Sequence, residues 1–310
     1  MGPDSRTRLR RALPLLVSGG VLAWLLLRFD LGAAFGAVDR RTGLLLGASL
    51  AAYGLLSLAL EAGALSRLFA RERVGFALAA RVKAASYLLS VVHITVGLGA
   101  LAVLLRRRTG LELGRAASGV MLLSALDLGF LVLLGAAGGL LFETRVPAVR
   151  GEIVGLLAGA GLAGTLALRL PCSWAPLRRL RSWSFVSLLA ELPLGVLVRV
   201  GSLRLVFVLS FASLIGVALL AFGVTMPVGD LAIGVLVVSL VSSLPIAVSG
   251  LGTGQAAFLY CFREYAPPEV LLASSLALSA GLLATRALIG VGFAREYVRE
   301  ASRSLREAGP

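Results

Sequence analysis

Ser90-Val91-Val92-His93-Ile94-Thr95-Val96-Gly97-Leu98-Gly99 and Ser242-Ser243-Leu244-Pro245-Ile246-Ala247-Val248-Ser249-Gly250-Leu251-Gly252 are two versions of one apolar phrase, with Ser249 as the inserted residue. Both are broken by glycines. Duplicated apolar segments interrupted in matching places mark membrane folds built from repeats, in which discontinuous helices bring irregular backbone to the bilayer midplane.

The composition around the phrases fixes the solvent. Hydrophobic residues make up 58% of the 310 and the mean hydropathy is +0.94, too apolar for a single soluble core. A formal charge of +14 is compatible with nucleic-acid binding, but the arginines punctuate apolar runs instead of clustering on polar folded segments, so no nucleic-acid partner is expected. Cys172 and Cys261 have neither metal-ligand spacing nor a disulfide framework and read as small hydrophobes. The Arg6, Arg8, Arg10 and Arg11 cluster resembles the head of a secretory signal, but in a polytopic chain it reads as the flank of a retained first span.

About 20 apolar residues cross a bilayer core. Six segments meet that length, at residues 12–30, 42–65, 116–141, 152–170, 203–224 and 270–294. The two broken segments, 84–105 and 229–262, are read through their flanking charge. Arg67, Arg71, Arg73, Arg81 and Lys83 precede the first, and Arg106, Arg107, Arg108 and Arg115 follow it. A simple crossing would export one cluster, whereas a segment that enters and returns keeps both on the cytoplasmic side. The arginines from Arg169 to Arg204 and the tail with Arg295, Arg299, Arg303 and Arg306 then fall on that side too. The short stretch from Phe185 to Val198, containing Glu191 and Pro193, is expected to lie in the interface, anchored by Trp174 and Trp183.

The expected fold is all-α: a polytopic integral membrane protein of about six full spans and two glycine-broken re-entrant hairpins. Its halves, 1–145 and 146–310, form an inverted repeat, with both termini cytoplasmic in the cell membrane. Neither tail is long enough for a soluble catalytic domain.

A broken helix exposes amide groups at the start of its second half, with the positive dipole end directed at the break, and anions are the usual guests. Gly97, Gly99, Gly250 and Gly252 mark the breaks. Gly97 and Gly99 are expected to open a half-helix running to Arg106, and Thr253 to cap another starting near Gly254, with Gln255 adding a polar contact. Close helix packing is the alternative reason for such glycines. Arg106 and Arg107 follow the first break and suit an anionic headgroup. Asp127 and Arg286, ionisable groups inside spans, are substrate-binding candidates facing a cavity. Glu61 is expected to snorkel or to pair with Arg67. His93 stands where the second phrase has Pro245, which suits a structural role at least as well as proton transfer. Serine-hydrolase, zinc-protease and phosphate-loop motifs are all missing from the sequence, so no catalytic residue, metal or cofactor is assigned and an enzyme is not expected.

Leu244 to Gln255 resembles the Leu-Pro-x-x-x-Gly-Gly-Leu-Gly-x-x-Glu signature of the lysylphosphatidylglycerol synthase transmembrane (flippase-like) family, and the resemblance extends over nearly the whole chain. Gly97 with Arg106, Arg107, Arg108, Thr109 and Gly110 is similar to the family's first glycine motif and basic turn. Asp127 and Arg286 match an acidic and a basic position in later spans. The resemblance implies a stand-alone member without the aminoacyl-transferase half, moving a membrane phospholipid or polyprenyl-linked lipid. The family's glutamate after the second motif is Gln255 here, its acidic residue after the first is Ala100, and its Glu-Arg pair before the aspartate is Leu123-Ser124. The expectation is a flippase or scramblase carrying an anionic or glycan-linked headgroup through a midplane cavity. The alternatives are a membrane transferase using Asp127 as base and Arg286 as phosphate clamp, or a non-transporting partner of a glycosyltransferase or lipid synthase.

Overall fold

A computed structural model describes residues 40–92, 94–142, 159, 188–189, 191–243 and 252–307. The main helices among them are α1 Arg40–Leu68, α2 Phe76–Val92, α3 Ile94–Thr109, α4 Leu113–Leu141, α5 Leu194–Ala221, α6 Val228–Ser243, α7 Thr253–Phe262 and α8 Pro268–Glu307. The described residues contain no strand. By length and composition α1, α4, α5 and the Pro268–Phe293 part of α8 are able to cross a membrane, as expected of a helical membrane protein. These correspond to four of the six spans read from the sequence. The segments 12–30 and 152–170 lie outside the described residues, apart from Gly159, which is helical.

The Phe185–Val198 stretch differs from its expected place in the interface. Residues from Leu194 onward are the first turns of α5, so that span starts before Arg199 and Arg204. Pro193 explains the boundary: its carbonyl accepts from the Val196 and Leu197 amides at 3.0 and 3.1 Å, and proline at a helix start loses no intrahelical bond. Leu188 and Leu192 pack with Leu105, Leu122 and Val200 in an apolar cluster.

The contacts divide the chain into two compact units, and among the described residues α1, α4, α5 and α8 each give one end to each unit. The α2–α3 unit takes, among the described residues, 52–126, 188–189, 191–207 and 282–307. It thus holds the C-terminal ends of α1 and α8 and the N-terminal ends of α4 and α5. Its core is built on Leu65, Phe69, Val82, Leu105 and Leu122. Arg115 ties its loops together, donating from Nε to Glu72 Oε1 at 2.7 Å and lying 3.5 Å from Glu191.

The α6–α7 unit takes 40–51, 127–142, 208–243 and 252–281, with the opposite ends of the same four helices. In it α4 and α6 meet where Cβ atoms are absent: a Cβ on Gly138 would stand 2.8 Å from the Gly229 carbonyl oxygen. Asp230, fully buried in the first turn of α6, accepts a hydrogen bond from the Tyr265 hydroxyl beyond the end of α7. The negative charge also suits the positive end of the α6 dipole.

Candidate functional site

The α2–α3 and α6–α7 pairs are the two broken segments of the sequence. At 17, 16, 16 and 10 residues, each of these helices is shorter than the about 20 residues a crossing needs. In each pair the second helix folds back along the first. A Cβ on Gly97 would lie 2.5 Å from Ser90 Cβ and 2.8 Å from its Cα, an approach that only glycine permits. In a continuous helix those residues would be about 10 Å apart. Along the other pair, a Cβ on Gly254 would meet Ser242 Oγ at 2.6 Å, and one on Gly234 would meet the Phe262 ring at 2.4 Å. Ser90 and Ser242 are the residues that the repeated phrase aligns. Their glycine partners differ by four places, since Gly97 aligns with Gly250 and Gly254 takes the contact in the second pair.

The first break departs from expectation in detail. Helix α3 starts at Ile94, so Gly97 and Gly99 lie inside the half-helix and do not open it. Gly99 is exposed, and a Cβ there would have nothing within 4 Å. Arg106 and Arg107 are exposed in the last turn of α3, where cations complement the helix dipole. His93 lies outside the described residues.

At the second break Gly250 lies outside the described residues, whereas Gly252 is the N-cap of α7 with a φ of 86°, a conformation that favours glycine. Gln255 does the capping. Its side-chain oxygen accepts from the Gly252 amide at 2.5 Å, and its Nε2 donates to Ser279 Oγ of α8 at 3.2 Å. This is the reciprocal half of a capping box, for which Gln and Glu serve alike. Thr253 does not cap: it is the first residue of the helix, and its Oγ1 is buried without a hydrogen-bond partner, as is Ser239 Oγ of α6.

Asp127 and Arg286 are both half-buried on spanning helices, Asp127 in the α6–α7 unit and Arg286 in the α2–α3 unit. Glu61 departs from both expectations. It neither snorkels nor pairs with Arg67, whose guanidinium donates to the Gly63 carbonyl at 3.1 Å. Instead Glu61 Oε1 is 2.7 Å from Lys83 Nζ and 4.0 Å from Arg204, and Oε2 accepts from the Tyr87 hydroxyl at 2.5 Å. The side chains of Glu61 and Lys83 are 12% exposed and that of Arg204 is 5%, so a charged cluster sits inside this unit. Arg204 also stacks on Phe207, 4.5 Å from the ring centroid. Arg286 is within electrostatic reach of Tyr87.

Sequence reasoning assigned Lys83 and Arg204 to polar flanks and so missed this cluster. Pro193 was the available signal: a helix starting there carries Arg204 almost three turns inside, by about 3.6 residues per turn. Among the described residues no group of His, Cys, Asp and Glu is arranged to hold a metal ion. Comparison with protein-family models, curated proteins and solved structures finds no match to this chain.

Proposed function

We propose that this chain is a lipid transporter, a flippase or scramblase that moves an anionic or polyprenyl-linked headgroup past two re-entrant helix pairs. The observation that carries the reading is the shared closure of those pairs. Ser90 and Ser242, equivalent in the repeated phrase, each press against a glycine of the returning helix, and none of the four helices is long enough to cross. Broken, returning helices are where transporters admit polar cargo to the bilayer interior.

The reading carries six spans and an inverted repeat of 1–145 and 146–310. Its support is the way the spans are shared: α2–α3 group with one set of span ends and α6–α7 with the opposite set. The set with α2–α3 carries Arg67, Arg71, Arg73, Arg106, Arg107, Arg108 and Arg115, and that with α6–α7 carries the mixed Arg263, Glu264 and Glu269. By the positive-inside rule the first set, and with it both termini, belongs on the cytoplasmic face of the cell membrane. Membership of the lysylphosphatidylglycerol synthase transmembrane family is part of the same proposal and rests on the glycine phrases.

The test has two stages. Single cysteines at Glu112 and Glu264, with Cys172 and Cys261 replaced, are exposed on intact cells to an impermeant thiol reagent; labelling at position 264 alone is expected, and labelling at 112 overturns the inverted arrangement. Proteoliposomes with labelled lipids then report leaflet exchange. No protein-dependent exchange for any of several headgroups removes the transport reading.

A further inference from the structure

We propose that Arg73, with Arg71 and Phe76, binds the headgroup of an anionic phospholipid of the cytoplasmic leaflet where the chain enters the α2–α3 pair. The inference deepens the transport reading and rests on its orientation. Its first ground is the backbone. Arg73 has a φ of 57° and is the one non-glycine residue with a positive φ among the described residues. In that left-handed region a Cβ crowds the following carbonyl oxygen, so glycine is the residue normally found there.

The second ground is a second copy of the same turn. Where α1 ends, the Val74 amide donates to the Phe69 carbonyl at 3.2 Å and the Arg73 amide to the Ala70 carbonyl at 3.1 Å. Where α5 ends, the Val224 amide donates to the Leu219 carbonyl at 2.9 Å and the Gly223 amide to the Leu220 carbonyl at 3.0 Å. Arg73 and Gly223 thus hold the same place, and Gly223 has a φ of 75°. A Cβ on Gly223 would meet nothing within 4 Å, so the backbone conformation, and not crowding by neighbours, selects glycine in this turn. Each turn leads into the first helix of a returning pair, α2 or α6. Of the two, the one with arginine in the left-handed place is the one that the positive-inside rule puts on the cytoplasmic face. Topology alone does not require this: Arg71 is exposed in the same turn and carries the same charge without a positive φ. A side chain kept where the backbone resists it points to function.

The third ground is what the turn presents. Phe69 and Val74 are buried, and Glu72 is tied to Arg115 at 2.7 Å, so the turn is fixed in place. Arg71 and Arg73 are exposed on either side of Glu72, and no ion pair holds them among the described residues. Phe76, 53% exposed, opens α2. Two guanidinium groups followed in the chain by an exposed ring suit a lipid, whose phosphate takes charge-assisted hydrogen bonds while its upper acyl carbons cover the ring. A free phosphate would leave Phe76 uncovered. Because α2 starts at Phe76, a lipid held here stands at the entry of the pair that closes at Ser90 and Gly97.

The closing experiment titrates the full chain, purified in detergent, with phosphatidylglycerol and, separately, with phosphatidylcholine. Bound lipid is counted by native mass spectrometry, and melting temperatures are taken on the same samples. Wild type is expected to bind phosphatidylglycerol in preference to phosphatidylcholine. Arg73→Gly is expected to weaken phosphatidylglycerol binding about fivefold, the effect of one basic residue at an anionic surface. It should also raise the melting temperature, because the strained backbone is relieved. Binding lost from a more stable protein is not a folding defect. Arg73→Lys keeps the charge and should bind close to wild type. Arg263→Gln removes one positive charge from the other unit and should bind as wild type does. Phosphatidylglycerol binding unchanged in Arg73→Gly overturns the site, and so does an equal loss in Arg263→Gln, which would make net charge the cause. A lower melting temperature in Arg73→Gly makes the arginine structural and overturns it as well. Displacement of the lipid by millimolar inorganic phosphate overturns the lipid assignment. Leaflet exchange in proteoliposomes separates this site from the transport reading: exchange by wild type with Arg73→Gly binding as before sinks the site alone, and Arg73-dependent binding with no exchange by wild type sinks transport alone.

Discussion

Ser90 and Gly97 stand so close that the main chain of one fills the space a side chain of the other would need. A Cβ on Gly97 would come 2.8 Å from the Ser90 Cα, and backbone cannot yield as a flexible side-chain tip does. Gly97→Ala is therefore expected to destabilise the protein by about 1–3 kcal/mol, the usual range for overpacking. Gly99→Ala, two residues away with open space around it, should be neutral or slightly stabilising through helix propensity. Thermal unfolding of the two variants in the same detergent and lipid checks the contrast, and equal losses would mean that the pair is not closed as described.

The Gln255 cap makes a second, chemically distinct prediction. Gln255→Ala removes the acceptor for the Gly252 amide and is expected to cost about 1–2 kcal/mol. Gln255→Glu keeps the acceptor and places negative charge at a helix N-terminus, so it should retain more stability than the alanine variant. Melting temperatures of the two, compared at one pH and salt, decide it. An alanine variant as stable as the glutamate variant would remove the cap.

Glu61 and Arg67 lie on one helix but differ in what they hold. Truncating one partner of a buried ion pair costs about 3–5 kcal/mol, so Glu61→Ala should destabilise strongly. Arg67 donates to its own helix backbone, and Arg67→Ala should stay within about 1 kcal/mol of wild type. Denaturant midpoints for the two variants test the ranking.

Tyr265 closes the α6–α7 pair at the end away from its break. Tyr265→Phe deprives the buried Asp230 carboxylate of one donor, at an expected cost of about 1–3 kcal/mol. Proteolysis or hydrogen exchange localised to the 262–268 connection should report the loosening before global unfolding does.

Much of the fold was legible because bilayer thickness sets helix length: Arg40–Leu68, Leu113–Leu141 and Pro268–Phe293 read as apolar runs of sufficient size. The folding back of the first broken segment was legible from the charge on its flanks, and that of the second from its likeness to the first. The α5 boundary was not, because the arginines at 199 and 204 looked like loop residues, whereas Arg204 is buried by an acid from another helix and an aromatic face on its own. Such partners are set by helix rotation, which hydropathy does not encode. The site was legible in part. Gly252 and Gln255 stand at a real break and Gly97 closes its pair from inside the returning helix, but the cap expected of Thr253 is made by Gln255, since helix phase decides which side chain reaches back to the orphan amide.

Helix α8 runs without a break from Pro268 to Glu307, fourteen residues past the end of its apolar part at Phe293. At about 1.5 Å per residue the projecting portion is a rod of roughly 20 Å. A load or binding partner at its tip therefore acts with a lever arm on Gly290, where a Cβ would stand 2.8 Å from Leu88 Cγ of α2. A fluorophore rigidly attached near the tip should accordingly show slow, anisotropic tumbling locked to the protein, and changes in its orientation would record tilting of the helix that carries it.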